Sequence, residues 1–442
     1  KAQEPSDWFI DFFDSVLYVK NSKILYDIDT NTHLTLISKN LGIDNTKKDL
    51  RHVHFDISAD IEKDNKHLNI AIADKNTVYI KNKKLYIQDC ILNINKSKIF
   101  FKADASKADG FRLSVYSPKI EIPDVIELIE SNIIENNLSQ VLAYFKDLNG
   151  SFNFNIKLTK DDIDGIVALN RASFKVVPVC NLPVTLTKGN IKMNKTAVTL
   201  NGFEGYYNNK TANKMDFHGI VTDYLKSIDT KVQGNAVVTN DFAVNYFSKL
   251  VGMPITLTGG NTKTQLKLNS KYNKIDLTWF FGLKPGQDIL VDGQSLTPPK
   301  FGRGLKADLH FEDTLLNIKT IDYYIVPQHL KDKKIKPTPV VKLKGNIDVA
   351  SAVPVVKDLG FEIPKPLPSE FLNVLIGQKL FRKGKFSGYL SVYNTGKYPY
   401  LKGNMDVEDI RIPSQRLRIK KGKLITENGL LKLSANGKYK RT

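Results

Sequence analysis

Apolar and polar residues alternate with a period of two along most of this chain. Phe152, Phe154, Ile156 and Leu158 alternate with Asn153, Asn155 and Lys157, and Leu266 and Leu268 alternate with Lys267 and Asn269. Leu309 and Phe311 flank His310, Leu316 and Ile318 flank Asn317, and Leu431 and Leu433 flank Lys432. A period of two puts one apolar and one polar face on each strand. Turn signals separate the runs: Asn149-Gly150, Asn201-Gly202, Thr258-Gly259-Gly260, Asp292-Gly293 and Asn428-Gly429. Small, flexible turn residues between short alternating runs predict antiparallel pairing. The pattern therefore predicts a mainly β protein, an antiparallel sheet with one apolar face.

Helical spacing is confined to short pieces. Residues 5–19 (Pro5-Ser-Asp-Trp-Phe-Ile-Asp-Phe-Phe onward) predict one helix. Residues 123–147 predict the longest, with Pro123 and Asp124 at its start and Val125, Leu128, Ile129 and Ile133 on one face. Residues 240–251 predict another, and 351–376 predict two short ones broken at Gly360 and Pro364–Pro368. These pieces are too few to cover a large sheet as a helical layer.

Their places expose a repeat. A Gly-led strand follows each helical piece: Gly150–Leu158, Gly259–Leu268 and Gly384–Tyr393. A second pair of strands then follows in each copy. It is Lys188–Met193 with Ala197–Tyr207, then Gly302–Phe311 with Leu315–Tyr324, then Lys421–Thr426 with Leu430–Tyr439. A partial copy precedes them at Lys83–Ile87 and Ile91–Ala103. The repeat divides the chain into an N-terminal β segment, 1–122, and three modules, 123–239, 240–349 and 350–442, the last incomplete.

Composition narrows the function classes. The chain has 442 residues, 41% of them hydrophobic, which excludes wholesale disorder. Lys+Arg number 65 against 46 Asp+Glu, a formal charge of +19. The lysines are spread through nearly every segment and alternate with apolar residues, so they read as the solvated face of the sheet. That face can meet anionic head groups, and nothing in it forms a basic helix, zinc finger or aromatic RNA-binding motif. The densest run, Lys331–Lys336, sits in a loop-like stretch before Pro337. No apolar run is long enough to cross a bilayer as a helix. The first residues, Lys-Ala-Gln-Glu-Pro-Ser, read as a trimmed or processed start.

Candidate chemistry is sparse. Cys90 and Cys180 lie singly in strand-like runs and read as small buried residues. His52 and His54 share a strand face without acidic or Cys partners at ligand spacing. Gly302-Arg-Gly304-Leu-Lys-Ala307 imitates a dinucleotide turn, yet a strand pattern follows where a helix is required. Asp161, Asp162 and Asp164 read as a solvated hairpin tip. Adjacent aromatics, such as Tyr206-Tyr207 and Trp279-Phe280-Phe281, read as one ring inward and one outward. No catalytic motif, metal site or cofactor is expected, and the chain reads as a non-enzyme.

Three features resemble one family. Val16-Leu-Tyr-Val-Lys-Asn-Ser-Lys-Ile-Leu-Tyr-Asp-Ile-Asp, followed by Thr32-His-Leu-Thr-Leu-Ile-Ser, is similar to the opening strand, turn and return strand of the AsmA-like bacterial envelope proteins (the AsmA, TamB and YhdP type). Ser22 stands where their turn usually carries Gly. The step from Ala103-Asp-Ala through Leu113-Ser-Val-Tyr and Ile120-Glu-Ile-Pro into a helix is the second feature. The repeated Gly-led strand pair is the third.

The resemblance implies an elongated, twisted, U-shaped antiparallel β-groove in the periplasm of a double-membrane bacterium. Its partners would be phospholipid acyl chains inside, the inner membrane through an anchoring helix before this fragment, and the outer membrane or envelope proteins beyond. Nucleic acid is not among them. The last strand predicts a chain that continues past Thr442. The residues expected to touch acyl chains are the inward alternants: Phe101, Phe152, Phe154, Ile156, Leu158, Ile191, Met193, Val198 and Leu200. Further along they are Leu266, Leu268, Ile275, Leu277, Leu309, Phe311, Leu316, Ile318, Phe386, Leu390, Val392, Leu431 and Leu433. Alternation alone leaves two rivals open: a structural or adhesive β-solenoid with a dry core, and a polysaccharide-active enzyme on a β-helix.

Overall fold

The computed structural model describes residues 18–47, 50–63, 66–72, 77–108, 110–130, 142–223, 228–251, 254–272, 274–291, 293–295, 302–326, 339–348, 350, 355–369, 380–394, 399–427 and 430–439. Strand dominates, as the alternation predicts. Among the described residues one antiparallel sheet holds 24 strands and does not close on itself, and a second sheet has three. The chain groups into two units, Lys1–Thr211 and Ala212–Thr442.

The first unit contains β1 (Tyr18–Asp29), β2 (Thr32–Lys47), β3 (Leu50–Lys63), β4 (Lys66–Ile72), β5 (Thr77–Lys81) and β6 (Lys84–Ile94). It continues with β7 (Ser97–Ser106), β8 (Gly110–Glu121), α1 (Ile122–Glu130), β9 (Phe145–Thr159), β10 (Ile163–Val176), β11 (Leu182–Asn194) and β12 (Ala197–Tyr207). Successive strands pair antiparallel, except that β4 and β5 divide the place between β3 and β6. The expected helix at 123–147 is described at Ile122–Glu130 and again at Leu142, with 131–141 outside the described residues. By Phe145 the chain is strand again, because Phe145 pairs with Val176 and packs edge-on against Phe174, ring centroids 5.3 Å apart. The helix expected at 5–19 lies outside the described residues up to position 17, and Tyr18 and Val19 are strand.

The second unit contains β13 (Lys214–Thr222), β14 (Asp229–Val238), a helical segment, β15 (Ile255–Thr258), β16 (Thr262–Lys271), β17 (Lys274–Leu283), β18 (Asp288–Val291) and β19 (Gln294–Ser295). Then come β20 (Gly302–Glu312), β21 (Leu315–Val326), β22 (Pro339–Asp348), β23 (Val355–Pro368), β24 (Lys385–Asn394), β25 (Pro399–Ile412), β26 (Leu417–Glu427) and β27 (Leu430–Tyr439). The helical segment runs as Asn240–Phe242, a wider π turn Ala243–Phe247, and Ser248–Val251. The Thr239 hydroxyl caps it by accepting from the Phe242 N–H. This matches the expected helix at 240–251. Of the stretch 351–376 expected to hold two short helices, Val355–Pro368 is a strand instead, while 351–354 and 370–376 lie outside the described residues. Two physical causes misled the pattern. A register shift beside Ile347 makes Val356 and Leu359 share a face at a spacing of three, which imitates a helix. Pro364, Pro366 and Pro368 do not break a helix but sit in extended backbone around a second shift, between Ile363 and Leu367.

Register shifts recur at matching heights. In the first unit they fall between Ser117 and Ile120, between Leu169 and Arg171, and between Leu186 and Asn190. Phe152 pairs with both Ile120 and Leu169, and Leu169 pairs with Gly189, so the shifts border one line across β8 to β12. An extra residue bends a strand and exchanges odd for even on a given face. Gly189 shows why glycine stands on that line. Its φ is +154°, and a Cβ there would lie 2.3 Å from the Phe203 ring.

Candidate functional site

Direct cross-strand pairs share a face, so the register locates every expected residue. In the first unit Leu158, Ile156, Phe154 and Phe152 pair with Ile163, Gly165, Val167 and Leu169. Gly165 and Val167 pair with Met193 and Ile191, which pair with Val198 and Leu200. On the other side Ile156 pairs with Val115, and Val115 with Phe101. All the residues expected from this unit therefore lie on one face. The second unit repeats the result. Leu268 pairs with Leu277, Leu277 with Leu309, and Leu309 with Ile318. Ile275 pairs with Phe311, and Phe311 with Leu316. Leu359 pairs with Val392, Phe361 with Leu390, and Leu424 with Leu433. Leu266 lies opposite Trp279, Phe386 opposite Val407, and Leu431 opposite Thr426.

Burial separates these residues. Phe386 is 1% and Ile318 6% exposed, so both belong to the packed interior and are unavailable to a ligand. Leu266, Ile275 and Leu433 are 41%, 37% and 51% exposed. Most of the others, Phe152, Phe154, Ile156, Leu158, Ile191 and Leu268 among them, are half-buried. The Leu431 side chain lies outside the described residues. Alternation missed further members of the same face. Leu113, Val115, Val167 and Leu169 were legible as alternants. Leu182, Val184 and Leu186 alternate as well, but they lie past the register shift, so that they share the face of Ile191 is not legible from spacing.

One end of the strands is covered. In the first unit α1 lies there, with Leu128 packed against Ile61, Leu68 and Ile94. Asp124 in its first turn pins it: the Ser97 hydroxyl donates to Asp124 Oδ2 at 2.6 Å and the Lys96 N–H donates at 3.2 Å. Asn95 Nδ2 donates to Glu127 at 2.6 Å. In the second unit the helical segment and the three-stranded sheet β15–β18–β19 cover Phe281 and Leu283 through Ala243, Ile255 and Leu257. Arg303, 1% exposed at its side chain, joins them: Nη1 donates to Asp288 at 2.6 Å and Nη2 to the Gln287 carbonyl. Further along, Phe381 packs on the cluster of Ile363, Leu367, Phe386, Met405 and Ile410. Among the described residues the remaining major packing is between neighbouring strands of the sheet. Away from these covered clusters, the inward residues around Phe154, Ile191 and Leu268 are half-buried.

The opposite face is polar. Asn153, Asn155, Lys157, Asp164, Lys192 and Thr199 lie on it in the first unit. In the second, Asp276 meets His310 at 2.9 Å and Lys319 at 2.6 Å, and Lys274 meets Glu312 at 2.7 Å. The hydrogen bonds from Lys319 and His310 hold the Asp276 carboxyl below the usual range, and Lys274 does the same to Glu312. Shallow hollows of about 520 Å³ around Gly360 and about 480 Å³ around Ser114 lie between the side chains of this face. The aromatic runs divide as expected at Phe280 and Phe281, which are 40% and 9% exposed, while Trp279 shares the side of Phe281. Cys90 is a free thiol whose pKa burial raises, and Cys180 is also free. Among the described residues no group of three His, Cys, Asp or Glu is placed to hold a metal ion, and no helix is long and apolar enough to cross a membrane. The run Lys331–Lys336 lies outside the described residues.

No protein-family model matches the chain, and no curated protein matches it.

Proposed function

We propose that the chain is a non-enzymatic carrier that solvates lipid acyl chains on the apolar face of its open sheet. The observation that carries the reading is the half-buried apolar strip around Phe154, Ile191 and Leu200 in one unit and Leu268, Leu277 and Leu309 in the other. A face this apolar gains about 0.8 kcal/mol for each CH₂ group it removes from water. An acyl chain fills that need without specific polar contacts, consistent with the lack of hydrogen-bonding side chains among these residues. The register shifts support a trough, since each bends its strand. The resemblance to AsmA-like proteins adds the setting: a periplasmic bridge moving phospholipid between the inner and outer membranes of a double-membrane bacterium, built from the modules 123–239, 240–349 and 350–442 after the segment 1–122. The rival enzyme on a β-helix needs parallel coils, whereas these strands pair antiparallel.

The test is lipid extraction from the purified chain followed by mass spectrometry, with photo-crosslinking groups at Phe154 and Leu268. Co-purified phospholipid crosslinked at both positions is expected. A chain that carries no lipid and forms no crosslink removes the proposal and leaves the dry-core structural reading.

A further inference from the structure

We propose that the polar face of the second unit carries a binding site for a neutral oligosaccharide, centred on Gly360 and Ser391 between Tyr389 and Tyr393. This goes beyond the acyl-chain reading, because it lies on the other side of the sheet and does not need the apolar face occupied. The register builds the site. Across β22 to β25 the middle row is Lys344, Gly360, Ser391 and Lys402. The row on one side places Glu362 beside Tyr389, and the row on the other places Asp358 beside Tyr393 and Tyr400. Same-face residues stand about 7 Å apart along a strand, so the two small residues lie between two aromatic rings and two carboxylates. Two hollows meet there, one of about 520 Å³ towards Tyr389 and one of about 370 Å³ towards Tyr393, and they share Lys344, Gly360 and Ser391.

The open floor is not a demand of the backbone. Gly345 and Gly388, which also border the hollows, have φ of +155° and +126°, and a Cβ at either would lie 2.2 Å from a carbonyl oxygen. Gly360 has no such constraint. A Cβ there would lie 3.4 Å from Ser391 Oγ and 3.7 Å from the Lys344 carbonyl oxygen, which are ordinary contacts. A strand glycine that the chain's own packing does not require marks a place kept open for a ligand. The rings stand clear of the packed interior: Tyr389 and Tyr400 are 45% and 40% exposed, and the Tyr393 and Tyr400 ring centroids are 6.3 Å apart.

The charges of these rows are mixed, which disfavours a polyanion. Lys342 lies 3.9 Å from Glu362 and opposite Asp322, and Lys319 meets Asp276 at 2.6 Å. Lys344 and Lys402 hold the middle row, with Asp358 in the next row and Asp406 opposite Ser387. At the margins Lys357 meets Asp348 at 3.3 Å, Lys423 lies opposite Asp406, and Lys385 opposite Glu408, with Lys365 in the register shift beyond Pro364. Neither sign prevails. A pyranose suits this arrangement. Its C–H face packs on a tyrosine ring, and its hydroxyls meet the Ser391 hydroxyl, the Lys344 ammonium and the oxygens of Asp358 and Glu362. Asp358 keeps acceptor capacity beside the bonds it receives from the Asn346 N–H and Nδ2. Two adjoining hollows, each flanked by one ring, fit two successive sugar units.

The experiment titrates the full chain by calorimetry with maltotetraose, with N-acetylated chitotetraose and with oligothymidylate, at low and at high salt. Saturable binding of at least one of the two sugars is expected, with an affinity that salt leaves unchanged. It should weaken roughly tenfold or more in Tyr389→Ala/Tyr393→Ala, and equally in Gly360→Val, which fills the floor without straining the backbone. Tyr389→Phe/Tyr393→Phe keeps both rings and should retain binding. Tyr144→Ala/Tyr272→Ala removes two exposed tyrosines elsewhere and should bind as the unaltered protein does. Circular dichroism should be the same for all of them. Absence of saturable binding by either sugar overturns the proposal, as does sugar binding that survives both Gly360→Val and the paired alanines. Binding of oligothymidylate alone, falling steeply with salt, would make this face a nucleic-acid surface and overturn it too. Sugar binding without lipid crosslinking at Phe154 would count against the acyl-chain reading alone.

Discussion

The covered ends of the strands and the open strip beside them are made of the same residue types on the same face. Phe386 and Phe154 are both inward phenylalanines of a regular ladder, yet Phe386 is 1% exposed and Phe154 is half-buried. The difference lies in what the connections do. Where α1, the helical segment or Phe381 folds back, the face becomes a packed core with a few buried polar anchors. Elsewhere the strands are held by hydrogen bonds to their neighbours and the inward residues are only half-buried.

The largest test of that contrast is at the covered end. Arg303→Ala leaves Asp288 buried without its partner, a change that destabilises by about 3–5 kcal/mol. Phe386→Ala leaves a cavity in the cluster with Met405 and Ile410, and is expected to lose about 3–5 kcal/mol in chemical denaturation. In the open strip, Phe154→Ala should lose about 1 kcal/mol, because only part of the side chain leaves water on folding. Equal losses at Phe386 and Phe154 would erase the distinction between core and strip.

Charge insertion sharpens the same comparison. Phe386→Asp should unfold the second unit, since a buried unpaired carboxylate has no compensation. Phe154→Asp and Leu268→Asp should leave the circular dichroism of the sheet intact and abolish lipid loading. Unfolding at those two positions would show a dry core there instead.

The smallest effects belong to the polar face. Asp276 has its pKa lowered first by hydrogen bonds from Lys319 and His310, and Asp409 by the one from Arg418. A carboxylate whose folded pKa lies below its unfolded one contributes stability above the ordinary Asp range. It loses that contribution as pH falls through the folded value. Both groups are largely exposed, so Asp276→Asn should change the neutral-pH melting point little and flatten only the acid limb of the stability profile. A large loss at neutral pH would mean that the polar face, too, is structural. Cys90, its pKa raised by burial, should react with a thiol reagent more slowly in the folded chain than after denaturation.

The fold class was legible because alternation survives within each strand: Phe152 to Leu158 reads correctly from the residues alone. It failed where an extra residue shifts the phase. Leu182, Val184 and Leu186 carry the same face as Ile191, yet their phase is reversed, and no local signal in the sequence marks the change except Gly189. The same cause made β23 imitate a helix. The caps were half legible. Pro123-Asp124 marks a helix start, but Asp124 meets Ser97 only after β7 and β8 have paired. Arg303 sat in a glycine-flanked stretch that resembled a nucleotide turn, and its partner Asp288 lies across a separate sheet.

By itself, then, the sequence determined the strands, the antiparallel turns and the division into an apolar and a polar side. These depend on neighbours in the chain and on the two-residue pleat. Only the tertiary structure decided which inward residues are core and which stay accessible, because that depends on whether a distant connection folds over them. It also brought Lys344, Gly360 and Ser391 into one row, since a row across strands is set by register and not by order along the chain.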